Sequence, residues 1–325
     1  MSQISLLLQT PLAHARRAAG LAARVVGHPL PSPVAGRTVL VTGASSGIGE
    51  ATAVAAAASG ARVLLVARRA EDLERVRGLI AASGGSAHAY PCDLTDLEAV
   101  DALVVQVLAE HGVVDHLVNN AGRSIRRSLD LSYDRFHDVE RTMAINYFAP
   151  VRLTLGLLPA MRAQGSGHVV NVVSWGVQLK APKFSAYLAS KSALDTWSRI
   201  AARETWSDGV TFTNMRFGLV RTAMVVPTGS VEDRTGMSAE QAGRHVLRAL
   251  EDRPVSWGPL VGYAGEALGL LAPRLSDAVM ARFHEAVPDS AAARGQAALP
   301  GGSLDQDDER DQAGDDDQRA QQRGR

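Results

Sequence analysis

The chain has 325 residues, enough for one large or two small domains, and its 46% apolar and 21% charged content is ordinary for a globular protein. Its 34 basic residues are balanced by 34 acidic ones, so it lacks the basic surplus that binding a phosphate backbone needs, which argues against a nucleic-acid partner. Cys92 is the only cysteine; an intrachain disulfide is excluded, which fits a reducing cytoplasm, and no Cys/His cluster has metal-ligand spacing.

Residues 1–35 contain no acid; the first is Glu50. The apolar run 4–8 is too short for a membrane span or a signal core. Over residues 12–26 a helical projection collects Leu12, Ala18, Leu21, Ala22, Val25 and Val26 on one side and Arg16, Arg17 and Arg24 on the other. Such a helix either lies on a membrane surface or packs on its own protein with its arginines in water, and the pattern leaves both open. His28-Pro-Leu-Pro-Ser-Pro33 then reads as a stiff linker that closes an N-terminal extension, residues 1–35.

Arg37-Thr-Val-Leu-Val-Thr42 is a short, β-branched apolar run, hence a buried strand. It meets Gly43-Ala-Ser-Ser-Gly47-Ile-Gly49 and then an alanine-rich helix over 50–59. In such a turn the glycines let backbone amides approach a pyrophosphate, and the helix N-terminus favours its charge. A second strand over 62–66 ends at Ala67-Arg68-Arg69, where an NAD-binding chain would carry an acid for the ribose hydroxyl. Arg68 instead offers a cation for a 2′-phosphate, which favours NADP(H); the alternative is a solvated charge opening the next helix.

The alternation continues with a strand over 87–92, followed by Asp93-Leu94, and a helix over 97–111 with Leu97, Val100, Leu103, Val104 and Val107 on its apolar face. A strand over 115–118 ends in Asn119-Asn120-Ala121-Gly122; a long helical stretch covers 132–164; a strand over 168–173 stops at Ser174; a helix covers 184–206 and a sixth strand 210–215. Repeated βα units predict a doubly wound parallel sheet of Rossmann type, with helices on both faces, as a single α/β domain over 36–258. Ligands of such sheets sit beyond the carboxyl ends of the strands, and Gly43, Arg68, Asn119 and Ser174 all fall at such ends.

Tyr187 and Lys191 stand four residues apart, which on a helix puts both side chains on one face, one turn apart. A phenol is a poor acid at neutral pH, but a neighbouring ammonium favours the phenolate and lets it exchange a proton near the working pH. Taken alone, the spacing more often describes two surface residues of an amphipathic helix. Composition adds a hint: among 34 basic residues only Lys180, Lys183 and Lys191 are lysines, and a compact ammonium does what a planar guanidinium does not. Lys180 and Lys183 have no evident role. His88, His116 and His137 read as packing or solvent histidines.

Beyond Thr222, residues 223–236 hold few core signals and read as a substrate lid. Ser238-Ala-Glu-Gln241 is a capping box opening a helix to Leu250. Two apolar segments, 260–271 and 275–287, are split by Ala272-Pro273 and make a C-terminal extension, residues 259–300. The Asp/Gln/Arg-rich tail, 301–325, has the composition of a disordered segment.

Taken together, Thr42-Gly-x-x-x-Gly-Ile-Gly49, Asn119-Asn-Ala-Gly122, Asn146, Ser174 and Tyr187-x-x-x-Lys191 resemble the short-chain dehydrogenase/reductase family, over about residues 37–258 and in the family's order. The resemblance implies Tyr187 as the acid/base, Ser174 as a donor to the substrate oxygen, Lys191 on the nicotinamide ribose and lowering the tyrosine pKa, and Asn146 holding a relay water. For the cofactor, NADP(H), it implies Gly43, Ser45, Ser46, Gly47, Ile48 and Gly49 at the phosphates, Arg68 at the ribose, Asp93 and Leu94 at the adenine, Asn120, Ala121 and Gly122 along the central strand end, and Val220 and Thr222 at the nicotinamide amide. Asn119 resembles a residue supporting the sheet. Phe217-Gly218 departs from the family's usual Pro-Gly, which leaves the nicotinamide face less defined. Asn-Ala-Gly-Arg-Ser-Ile-Arg-Arg-Ser128 and Tyr-Phe-Ala-Pro-Val-Arg-Leu-Thr154 resemble bacterial fatty acyl reductase-like members.

These readings lead to an NADP(H)-dependent oxidoreductase acting between carbonyl and alcohol on a hydrophobic small molecule. It is expected in the cytoplasm as a homodimer or homotetramer, with peripheral membrane contact through the N-terminal helix as one of the two readings that helix leaves open. A hydroxysteroid- or retinol-type dehydrogenase is the rival enzyme reading, and a catalytically silent NADP-binding regulator the rival of another class.

Overall fold

A computed structural model describes residues 31–224, 236–290 and 293–294. The expected N-terminal helix, most of the expected lid and the acidic tail lie outside the described residues. Strands β1 (Thr38–Thr42), β2 (Arg62–Ala67), β3 (Ser86–Pro91), β4 (His116–Asn119), β5 (Gly167–Ser174) and β6 (Val210–Phe217) follow the sequence expectation closely. With β7 (Val220–Arg221), β8 (Met237–Ser238) and β9 (Ser256–Trp257), the sheets are completed: seven parallel strands in the order β3-β2-β1-β4-β5-β6-β9, and a small β7-β8 pair. β9 was not expected; two residues carry no readable alternation, and they are held only by β6, through Asn214↔Ser256 and Met215↔Trp257.

Helices cover both faces. On one side α1 (Gly47–Ala58) packs with Ala53, Ala56 and Ala57, α2 (Ala70–Ala82) with Leu73, Val76 and Ile80, and a later helix over Ala239–Asp252 with Ala242, Val246 and Leu250. On the other, α3 (Leu97–His111) contributes Val100, Leu103, Val104 and Val107 against β-strand residues such as Leu40, Leu64 and Leu117. The small residues of α1 serve close approach: a β-carbon on Gly243 would lie 2.7 Å from the Ala51 backbone. Asp96 caps α3 by accepting the amides of Glu98 and Ala99 at 2.9 and 3.1 Å. Burial on both faces explains why the central strands read as unbroken apolar runs.

The stretch 132–164 is not one helix. It divides into α4 (Phe136–Met143), a π-helical turn over Ala144–Phe148, and α5 (Ala149–Ala163). Pro150 is the physical reason: it has no amide to bond the carbonyl four residues back, that of Asn146, and the backbone widens there. A short helix α6 (Gly176–Leu179) precedes α7 (Ser185–Glu204), which carries Tyr187 and Lys191. α8 (Ala239–Asp252) opens with the expected capping box: Ser238 Oγ accepts the Gln241 amide at 3.2 Å while Gln241 Oε1 accepts the Ser238 amide at 2.9 Å. The two C-terminal apolar segments are helices α9 (Leu260–Leu271) and α10 (Pro273–Ala286), parted at Ala272-Pro273.

Candidate active site

The glycine turn lies at the carboxyl end of β1. Gly43 and Gly47 adopt φ of 63° and 58°, which side-chain-bearing residues avoid. A β-carbon on Gly49 would lie 2.1 Å from the Gly43 carbonyl oxygen, so only a bare backbone closes this turn. The turn is held from the next strand: Asn120 Nδ2 donates to the Thr42 and Gly43 carbonyls at 2.9 and 3.3 Å, and Thr42 Oγ1 accepts the Asn120 and Ala121 amides at 2.9 and 3.0 Å. Ser46 is the N-cap of α1 but makes no side-chain cap bond, so Ser45, Ser46, Gly47 and Ile48 present the open end of a helix. Thr222 faces this end: its Cγ2 lies 3.1 Å from where a Gly47 β-carbon would stand, and Val220 is buried in β7.

Arg68 is exposed just past β2, and among the described residues no acid pairs with it, whereas Arg69 pairs with Asp72. Asp93 is exposed and caps its own turn through the Thr95 amide at 2.9 Å; Leu94 is buried beside it. Sequence reasoning missed Arg75, which donates to the Ser45 carbonyl at 3.0 Å and to both Glu50 oxygens at 2.9 and 2.7 Å, tying α2 to the glycine turn. No local pattern announces such a contact across helices. It also missed that Asn119 belongs to a row of three asparagines in register on β4, β5 and β6. Asn119 donates to Asn171 Oδ1 at 2.9 Å and Asn171 to Asn214 Oδ1 at 3.1 Å. A polar residue inside the apolar run of β5 was the available signal.

Ser174 closes β5, and its hydroxyl accepts the Gly176 amide at 3.1 Å. Burial pushes the Tyr187 phenol up to about 12, and the nearby Ser174 hydroxyl offsets only part of that. Lys191 is 4% exposed, and its Nζ donates to the Val172 carbonyl at 3.0 Å. Burial pulls its pKa down to about 8. Desolvation dominates both groups, and the Ser174 hydroxyl favours the ionised phenol.

Gly122 brings the remaining residues together: a β-carbon on it would lie 2.7 Å from Asn146 Oδ1 and 3.1 Å from Lys191 Nζ. Asn146 is fully buried in the π turn. Its Oδ1 accepts the Arg123 amide at 3.0 Å, and its Nδ2 donates to the Arg123 carbonyl and Ser190 Oγ at 2.9 and 3.0 Å. The side chain therefore staples the loop after β4 to α7. The structure thus gathers Ser174, Tyr187, Lys191, Asn146 and Gly122 on one side of the sheet's carboxyl edge and Gly43 to Gly49, Asn120, Arg68 and Thr222 on the other. Asp93 and Leu94 flank that edge beyond β3.

The profile of the short chain dehydrogenase family matches residues 37–233. The chain belongs to that family. A fatty acyl-CoA reductase of Mycobacterium tuberculosis (strain H37Rv) is 45% identical over 264 residues, which are 80% of this chain and 90% of that protein. A fatty acyl-CoA reductase of Acinetobacter baylyi is 44% identical over 263 residues, 81% of this chain and 89% of that protein. Among solved structures, a metagenomic short-chain oxidoreductase in complex with NADP is 33% identical, with a TM-score of 0.59 over 67% of this chain and 92% of that one. The chain is accordingly a short-chain oxidoreductase. Among the described residues no helix is long and apolar enough to cross a membrane, and no group of three or more His, Cys, Asp or Glu side chains could hold a metal ion.

Proposed function

We propose that this short-chain oxidoreductase uses NADP(H) to interconvert a carbonyl and an alcohol on a hydrophobic, long-chain substrate. One observation carries the reading: the hydroxyls of Ser174, at the end of β5, and Tyr187, in α7, with the buried ammonium of Lys191 one helical turn beyond Tyr187 and bonded, among the described residues, only to a backbone carbonyl. The residues present suit a dinucleotide phosphate. The bare turn at Gly43, Gly47 and Gly49 leaves backbone amides open to a pyrophosphate, and Arg68 is an uncommitted cation where a 2′-phosphate would lie. Asn120, Ala121, Gly122, Val220 and Thr222 border the nicotinamide end, and Asp93 and Leu94 the adenine.

The bound nicotinamide supplies hydride in reduction and accepts it in oxidation. Tyr187 Oη holds the proton that the carbonyl oxygen gains, and Ser174 Oγ donates a hydrogen bond to that oxygen. Lys191 Nζ favours the phenolate left behind, and its burial makes that charge effective over a short distance. The Asn146 carbonyl, left without its helical donor by Pro150, accepts a relay water, while the Asn146 side chain holds the Arg123 backbone and Ser190.

The substrate reading draws on the two fatty acyl-CoA reductase relatives and on α9 and α10, where Leu270 and Leu271 are each 81% exposed and Leu275, Val279 and Phe283 share an exposed face. A long alkyl chain partitions into membranes, and these residues suit peripheral contact with a lipid surface by a cytoplasmic enzyme. Exposed Phe148, Leu155 and Ile200, from the π turn, α5 and α7, suit burial against a second copy in a homodimer or homotetramer. The test is kcat/KM across straight-chain aldehydes from acetaldehyde to hexadecanal, with NADPH and NADH in parallel. Each buried methylene is worth about 0.8 kcal/mol, so a pocket built for a chain gains roughly fourfold per carbon until it is full. A flat profile removes the long-chain substrate; no turnover with any carbonyl leaves the silent regulator.

A further inference from the structure

Lys183 is one of only three lysines in the chain, and the reaction above does not use it. It stands four residues before Tyr187, in the turn between α6 and α7, with a left-handed φ of 68° that a β-carbon disfavours. Its side chain is 7% exposed and lies 3.5 Å from the carboxylate of Asp289. Its Nζ donates to the Val287 carbonyl at 2.6 Å. Asp289 also accepts the Ser128 amide at 3.0 Å. Burial alone would push the Asp289 carboxyl up; the Ser128 bond and the Lys183 charge outweigh it and hold it below the usual carboxylate range.

The neighbouring residues repeat the same joint. The Lys183 carbonyl accepts the Arg127 amide at 2.6 Å. Arg126 donates to the Pro288 carbonyl at 2.7 Å, and Arg127 to the Ala293 carbonyl at 2.6 Å. Ser290 Oγ accepts the Ala293 amide at 3.2 Å. The chain leaving α10 therefore comes back across two loops and bonds both. One of them, residues 123–128, starts beside Gly122, which approaches Lys191 and Asn146. The other, residues 180–184, delivers Tyr187.

We propose that residues 287–290 with 293–294 form a clasp that fixes the two loops bordering Tyr187 and thereby sets which substrates the site accepts, with Lys183 and Asp289 as its positioning residues. Among the described residues the clasp bonds neither the glycine turn nor Arg68, so it acts on the carbonyl substrate and not on the dinucleotide. A left-handed lysine is tolerated because three contacts, to Val287, Asp289 and Arg127, over-determine its turn. The inference rests on the carbonyl–alcohol reading for its kinetic readout but not for its structural one.

The test uses the full chain with Asp289→Ala, Asp289→Asn, Lys183→Met, Lys183→Arg and the double variant Lys183→Met/Asp289→Ala. Trypsin cleavage after Arg126 and Arg127 should quicken about tenfold or more in Asp289→Ala, because both arginines lose their carbonyl partners when the clasp lifts. KM for a long-chain aldehyde should rise about tenfold, with the affinity for NADPH unchanged within about twofold. The double variant should be no worse than the poorer single one, as for two ends of one contact. Lys183→Arg and Asp289→Asn should keep KM within about threefold of the parent. Unchanged cleavage and KM would overturn the clasp, as would NADPH affinity falling in step with KM. If the parent itself turns over no carbonyl, the reaction assignment has failed, and the cleavage rates still decide the clasp.

Discussion

Lys191→Met should make the protein more stable and less active. The folded chain holds the Lys191 proton only up to a pKa of about 8, against 10.5 for the free group, because the ammonium is buried with no acid beside it. The unfolded chain therefore binds more protons between those values, and the full penalty on the folded state is present below pH 8. The gap is worth about 3 kcal/mol at pH 7. Methionine keeps an apolar stem of similar length and removes the charge. The Val172 carbonyl loses its 3.0 Å donor, a cost of about 1 kcal/mol. The net gain is about 2 kcal/mol, or roughly 4–8 °C in Tm for a domain of this size. Turnover should fall by about a hundredfold or more, since proton transfer loses the charge that favours the phenolate. Urea unfolding of parent and variant at pH 7 and pH 10 tests both the sign and the cause. At pH 10 the difference attributable to the charge should shrink to about 1 kcal/mol, because the unfolded lysine is then partly neutral. A variant less stable than the parent at pH 7, or a difference that ignores pH, would refute the reasoning.

Tyr187→Phe should lower kcat by about a thousandfold while NADPH still binds, and turnover within tenfold of the parent would sink the assignment. Arg68→Ala should weaken NADPH by about a hundredfold, the size of a lost charge-assisted bond, and leave NADH nearly untouched; equal losses in a binding titration would make Arg68 a surface charge. Pro150→Ala should restore a helical bond to the Asn146 carbonyl, narrow the π turn and slow proton transfer. An unchanged rate together with an unchanged solvent isotope effect would refute the relay.

The parts of the site that were legible in the sequence are those encoded locally. The glycine turn announces itself because a strand, a bare loop and a small-residue helix must follow one another within a dozen residues. Tyr187 and Lys191 were found because the helical repeat alone puts them on one face, and the capping box at Ser238 because both partners lie within four residues. What escaped depends on partners far along the chain. Arg75 reaches Ser45 across thirty residues and Lys183 reaches Val287 across more than a hundred, as the bond separations record. The two-residue strand β9 has no pattern of its own and exists through its pairing with β6. The π turn was not legible in the stretch 132–164: Pro150 lacks an amide, but nothing local says that the backbone widens over Ala144–Phe148 to absorb it.

Burial of a titratable base is not by itself what distinguishes the carboxyl edge of this sheet. The opposite edge has two of its own, His116 and His168, paired in register on β4 and β5. Burial lowers His116 to about 4 and His168 well below its ordinary value, so both are neutral at pH 7 and cost the fold nothing there. Nor do orphaned polar atoms mark the edge, since His116 Nδ1 and Asn119 Oδ1 both lack partners among the described residues. The difference is that Lys191, at about 8, stays charged at pH 7 and so bears the cost of its burial under working conditions. On the proposed function, a core lysine that could have been methionine, with a phenol one turn before it, is stability given up for chemistry. The two histidines fill space; the lysine holds a charge where the fold would prefer none.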